Sequence, residues 1–265
     1  MSEMKKLLEV MSRLRNPDDG CPWDLAQDYR SIAPCTIEEA YEVVDAIERN
    51  DMDDLCDELG DLLFQVVFYA QLAKEEGRFE FAQVAEQITE KLIRRHPHVF
   101  VDEGVRDNKV GDHRTSWERI KENERREKGV AADEGGALSG VAITLPALTR
   151  AVKLQKRAAY VGFDWPAIEP VLDKVQEELN EVREVLDQNQ GKQRMQHEVG
   201  DLLLAVTNLA RHAEIDPESA LREANQRFER RFGHIEAACA AQGVAPEAAG
   251  LATLEAMWLQ AKLAE

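Results

Sequence analysis

Apolar residues along this chain recur at helical rather than strand spacing. Val171, Val175, Val182 and Val185 fall three, four and seven residues apart, which predicts an amphipathic helix. Glu178 interrupts that stripe, three residues after Val175 and four before Val182. A carboxylate in a packing position is costly unless it is paired or bound to a metal. The next segment repeats the spacing with Met195, Val199, Leu202, Val206 and Leu209, and a neighbouring face carries Glu198, Asp201, Ala205 and Asn208. No run of alternating β-branched residues argues for a sheet, so the expected fold class is all-α. The longest apolar run, around residues 62–72, is too short and too interrupted to span a bilayer.

The acidic interruption belongs to a pattern that occurs twice. Glu38-Glu39-x-x-Glu42 precedes Glu58-x-x-Asp61, and about 140 residues later Glu177-Glu178-x-x-Glu181 precedes Glu198-x-x-Asp201. Residues three apart share a helix face. Taken singly, a Glu pair on a helix is ordinarily a solvated face, and Thr36-Ile37-Glu38-Glu39 also reads as a capping box with Glu39 at the third helical position. The pairing with E-x-x-D, the duplication and the broken apolar stripe favour a metal site. Carboxylates converging between two helices repel one another unless cations sit among them. Oxygen ligands without imidazole suit Mg²⁺ or Mn²⁺ rather than iron. The Glu-x-x-His motif of di-iron bundles is missing, since His197 is adjacent to Glu198.

The duplication extends further. Glu58-Leu59-Gly60-Asp61 matches Glu198-Val199-Gly200-Asp201, and Cys21-Pro22-Trp23-Asp24 lies near the position of Phe163-Asp164-Trp165-Pro166. Downstream, Arg94-Arg95-His96 parallels Arg230-Arg231-Phe232, and Trp117-x-x-x-Lys121 parallels Trp258-x-x-x-Lys262. Landmarks in one order at nearly constant offset predict tandem helical-bundle domains, residues 1–128 and 141–265, joined by a Gly- and Ala-rich linker at 129–140.

Composition narrows the function classes. A net charge of -18 over 265 residues argues against an extended nucleic-acid interface, which needs a basic face. It leaves room for a nucleotide held by metal and a few local cations. Cys21, Cys35, Cys56 and Cys239 form no C-x-x-C pair, and the N-terminus carries no apolar signal core, so reduced thiols in the cytoplasm are expected. Walker motifs and Ser/His/Asp arrangements are missing, and the proline in His96-Pro97-His98 argues for a structural role.

The acidic signature resembles that of the all-α nucleoside triphosphate pyrophosphohydrolases of the MazG type. Further matching stretches are Gly20-Cys21-Pro22-Trp23-Asp24, Leu59-Gly60-Asp61-Leu62-Leu63-Phe64, Arg94-Arg95-His96-Pro97-His98, Val161-Gly162-Phe163-Asp164-Trp165 and Arg227-Phe228-Glu229-Arg230-Arg231-Phe232. The resemblance covers essentially the whole chain. It implies a homodimer that hydrolyses NTPs and dNTPs to the monophosphate and pyrophosphate with Mg²⁺. It assigns metal binding to Glu178, Glu181, Glu198 and Asp201, and leaves open which of these, or Glu177, orients the attacking water. It places Arg227, Arg231 and Lys262 at phosphate contacts and Trp258 under the base. Arg227 stands where the family usually has Lys, which keeps the charge and changes the geometry.

Both copies keep the acids, so other positions must discriminate them. With Asp61 aligned to Asp201, Phe68 falls opposite Asn208 and Gln71 opposite Arg211. With Trp23 aligned to Trp165, Met11 and Leu14 fall opposite Lys153 and Lys156, while Arg15 matches Arg157. The C-terminal copy thus carries more groups able to hold a triphosphate and is expected to catalyse. The N-terminal copy, with Glu39, Glu42, Glu58 and Asp61, is expected to bind metal without turnover and to serve dimerisation or regulation. Two other readings stay open: a helical binding module without turnover, and a narrower relative such as a dUTP or phosphoribosyl-ATP hydrolase.

Overall fold

The computed structural model describes residues 2–100 and 136–265. The chain divides into two compact units, Met1–Ile120 and Lys121–Glu265, and every described element is helical. Trp117, Lys121 and most of the expected linker at 129–140 lie outside the described residues.

The first unit contains α1 (Glu3–Leu14), α2 (Pro22–Leu25), α3 (Tyr29–Arg49), α4 (Met52–Glu75), α5 (Phe81–Arg95) and a short α6 (Pro97–Phe100). Helix α3 begins earlier than the expected capping box at Thr36. Asp28 accepts hydrogen bonds from the Arg30 and Ser31 amides, each 2.8 Å, and Ser31 caps in return. Asp28 satisfies the free N–H groups that start a helix, and Pro34 is tolerated inside it. Thr36 instead lies within α3, its hydroxyl 2.8 Å from the Tyr69 hydroxyl. Asn50 ends α3 in the left-handed region at φ 55°, and Asp51 caps α4 by accepting from the Asp54 amide, so α3 and α4 pack as a hairpin. Met11, Ile32, Val67, Phe68 and Leu72 form the core against which Leu14 packs.

The second unit repeats the hairpin. It contains α7 (Ala147–Tyr160), α8 (Glu169–Asp187), α9 (Lys192–His212), α10 (Pro217–Ala241), α11 (Pro246–Ala249) and α12 (Leu251–Leu263). Helices α8 and α9 pack together, and α7 packs on α9, where Gln155 donates to the Leu204 carbonyl at 2.9 Å. Helix α7 stops at a left-handed Gly162, φ 89°. The Gly162 amide reaches the Ala159 carbonyl and the Phe163 amide the Ala158 carbonyl, each 2.9 Å. This paired closure turns the chain sharply. Ile235, Cys239 and Met257 form a second small core between α10 and α12.

Helix α9 distributes its faces differently from the simple expectation. Its buried residues are Glu198, Ala205, Thr207 and Asn208, whereas Val199, Leu203, Leu204 and Val206 are 40–54% exposed. Glu198 thus lies buried on the helix that packs against α8, where Glu178 is buried as well.

Phe68 is fully buried in the first core. Phe68→Ala should destabilise the protein by about 3–5 kcal/mol, the usual cost of removing a buried aromatic ring. Urea unfolding checks this, and a loss below about 1 kcal/mol would contradict the packing described.

Candidate metal and nucleotide site

The α8–α9 hairpin places carboxylates face to face. Oxygens of Glu178, Glu198 and Asp201 lie within 4.8 Å of one another. Glu178 is 6% exposed and Glu198 only 2%, while Asp201 is exposed. Glu181, one turn beyond Glu178, hydrogen-bonds to Glu198. That bond, together with burial and the nearby Glu178 charge, pushes the Glu181 carboxyl above its usual range. Three of the four sequence-predicted ligands thus converge, with Glu181 beside Glu198, and the apolar stripe around Glu178 is the reason it is buried.

Two cations flank the cluster. Lys174 Nζ sits 2.8 Å from both Glu177 and Glu178, which raises the lysine pKa. Arg194 pairs with Glu198. Each cation stands three or four residues before its partner, the spacing that aligns side chains on a helix. That spacing is legible in the sequence, although neither cation is among the expected site residues. Glu177 is exposed and turned to Lys174, so it lies beside the cluster rather than in it.

The first unit builds a similar cluster. Oxygens of Glu39, Glu42 and Glu58 lie within 4.8 Å. Burial, then Asp61, Glu42 and Glu58, raise the Glu39 carboxyl. Burial and neighbouring acids, Glu42 foremost, raise Glu58. At the positions of Lys174 and Arg194 this copy has Cys35 and Asp54.

The predicted nucleotide groups fall into separate places. Asn208, seven residues beyond Asp201 on one helix face, is 6% exposed and accepts from Arg211 Nε at 2.8 Å. Arg211 also pairs with Asp164, as does His212 Nε2 at 3.0 Å. Partial burial pushes the Asp164 carboxyl up, but the Arg211 and His212 hydrogen bonds outweigh it and hold the group below its ordinary value. Asp164 and His212 were not singled out from sequence, because their pairing is a tertiary contact. Lys153 and Lys156 are exposed on α7, and Arg157 is half-buried. Trp258 packs on Phe228 with ring centres 5.3 Å apart, and the Arg231 guanidinium lies 5.4 Å from the Trp258 ring centre. Arg231 also pairs with Glu265. Arg227 approaches Glu223 at 3.7 Å on its own helix, and Lys262 is exposed near the end of α12.

Two packed helices presenting buried carboxylates to one point define an all-α protein with a candidate divalent-cation seat. Comparison with known proteins sharpens this. The model of the MazG nucleotide pyrophosphohydrolase domain matches residues 27–100 and 168–235, more than half of the chain and once in each unit. The chain is 49% identical over 270 residues to the nucleoside triphosphate pyrophosphohydrolase of Escherichia coli K12, covering 100% of this chain and 99% of that protein. It is 39% identical to the nucleoside triphosphate pyrophosphohydrolase/pyrophosphatase MazG of Thermotoga maritima, over 97% of this chain and 95% of that protein. The chain belongs to the MazG family.

A raised carboxyl pKa means the folded state binds a proton more tightly than the unfolded state. The stability it adds is present at low pH and is lost as pH rises through the folded pKa. Metal-free Glu181→Gln should therefore gain thermal stability relative to wild type as pH rises above about 4.5. Melting temperatures across pH test this, and a constant difference between the two proteins would contradict it.

Proposed function

We propose that this chain is a nucleoside triphosphate pyrophosphohydrolase. It hydrolyses NTPs and dNTPs between the α- and β-phosphates, releasing the nucleoside monophosphate and pyrophosphate. The observation that carries this is the buried acid cluster between α8 and α9, in a chain of the MazG family.

Glu178, Glu181, Glu198 and Asp201 would hold Mg²⁺, which Mn²⁺ could replace. The donor set fits, being all oxygen and with partly buried acids whose mutual repulsion a divalent cation relieves. When bound, such an ion polarises phosphoryl oxygens and lowers the pKa of a bound water. The chain's own groups do the rest. Glu177, beside the cluster, or one of the four ligands accepts a hydrogen bond from the attacking water and orients it. Lys153, Lys156, Arg157, Arg227, Arg231 and Lys262 offset the polyphosphate charge. Trp258 offers a face for the base, and Asn208 a polar contact to the nucleoside.

The C-terminal unit carries the activity in this reading. In the N-terminal unit Phe68, fully buried, stands where Asn208 stands. Met11, 1% exposed, and Leu14 belong to the core at the positions of Lys153 and Lys156. The Arg15 guanidinium is held by Glu75 at 2.8 Å and by the Asp24 carbonyl. Packing has replaced the substrate-facing groups while the acids stayed. This unit, residues 1–128, then serves dimerisation or regulation and keeps a metal-capable cluster.

The enzyme works as a homodimer, supported by the apolar stripe that α9 leaves exposed at Val199, Leu203, Leu204 and Val206. It acts in the cytoplasm, where its four free cysteines stay reduced. Among the described residues no helix is long and apolar enough to cross a membrane.

With Mg²⁺ the wild type should release pyrophosphate, not orthophosphate, from at least some of the eight common NTPs and dNTPs. Glu178→Ala and Asp201→Ala should each lower turnover by about 100-fold or more, the scale of a lost charge contact to the transition state. Glu39→Ala should retain activity. A pyrophosphate assay decides: retained turnover in both C-terminal variants would overturn the site assignment. Binding without turnover in the wild type would favour a binding module.

A further inference from the structure

The Asp164 carboxylate gathers donors from two elements distant in sequence. Its Oδ1 accepts from the Trp165 amide at 2.9 Å, from His212 Nε2 at 3.0 Å and from Arg211 Nη2. Because that oxygen only accepts, His212 must carry its proton on Nε2. The Arg211 side chain is 12% exposed and Asp164 24%, so the pair is shielded more than a surface ion pair. The turn at Gly162 that closes α7 delivers Asp164 to the end of α9.

Arg211 then acts on Asn208. Its Nε–H can only donate, so the Asn208 atom 2.8 Å away must be the carbonyl oxygen. This fixes the amide orientation, which distance alone would leave ambiguous. The Nδ2 hydrogens must point elsewhere. They make no hydrogen bond among the described residues, and the atom is not sealed from solvent. Asn208 itself is 6% exposed, so its one solvent-accessible donor is available to a ligand while the rest of the side chain is held. It shares a helix face with Glu198 and Asp201, roughly 10 Å beyond Asp201 at helical rise. That places it past the acids and toward the nucleoside half of a bound nucleotide.

The duplicate unit supplies an independent comparison. At the positions of Asp164, Arg211 and Asn208 it has Pro22, Gln71 and Phe68. The three groups that form the relay are replaced together, although the acids are kept. Gln71 donates instead to Glu75 along its own helix.

We propose that Asp164 is a positioning residue which, through Arg211, locks the Asn208 amide with Nδ2 as a donor toward a hydrogen-bond acceptor on the nucleoside half of the substrate. Arg211, expected from sequence to touch substrate, acts through Asn208 instead. The inference rests on the nucleotide-hydrolase reading for the identity of the ligand, and deepens it.

A double-mutant cycle tests this on the full chain. Affinity for a non-cleavable α,β-imido nucleoside triphosphate with Mg²⁺ is measured by calorimetry, beside steady-state pyrophosphate release. Asp164→Ala and Asn208→Ala should each weaken binding about tenfold, the size of one lost hydrogen bond. The loss should appear mainly in KM. Asp164→Ala should cost almost nothing further in the Asn208→Ala background. Asp164→Glu, which keeps the carboxylate, should recover part of the affinity. Additive losses in the double variant would overturn the proposal, because a merely structural role would cost the same in either background. If Asp164→Ala does not fold, Arg211→Lys is run through the same cycle with the same expectation. Wild type that binds the analogue but releases no pyrophosphate would contradict the hydrolase reading alone. Wild type that binds no analogue would overturn the positioning proposal as well.

Discussion

Like charges held between two packed helices are the constraint on which the rest of the C-terminal unit depends. Two unit charges about 4–5 Å apart repel by roughly 3–4 kcal/mol at an effective dielectric near 20. Glu178, Glu198 and Asp201 meet at that separation, with Glu181 hydrogen-bonded to Glu198. A fold that tolerates this must supply positive charge. Lys174 and Arg194 supply part of it from the flanking turns. A divalent cation would satisfy the remainder, and because its ligands must be deprotonated its affinity would depend on pH.

The same constraint explains how the duplicate copies could diverge. The acids sit on the α3–α4 and α8–α9 hairpins, and the groups that discriminate the copies sit both on those hairpins, as with Phe68 and Asn208, and on the helices that pack against them. Met11 and Leu14 on α1 turned that contact into core, closing over Phe68 with Arg15 and Glu75 at its edge. Lys153 and Lys156 on α7 stayed exposed and charged. One scaffold thus carries apolar core at these positions in one copy and exposed cations in the other.

Much of this was legible in the sequence. Periodicity identified the helices, and Glu178 within an apolar stripe marked the buried acid before its partners were seen. The doubled E-E-x-x-E and E-x-x-D spacing gave both clusters, because three-residue spacing is local and survives without tertiary information. Other features were not local. Asp164 meets Arg211 only because the Gly162 turn returns the chain to α9. Helix α3 starts at the Asp28 cap rather than at the Thr36 capping box that the spacing to Glu39 suggested, and Thr36 lies inside the helix. The apolar spacing of α9 does not tell which of its residues are buried, and Val199 and Val206 are exposed in the single chain.

Direct binding of Mn²⁺, followed by electron paramagnetic resonance of the free ion, tests the central claim that the α8–α9 acids seat a divalent cation. Glu178→Ala should bind fewer ions per chain than wild type, and adding Glu39→Ala should lower the number again. Equal binding by the wild type and Glu178→Ala at every Mn²⁺ concentration would contradict the account.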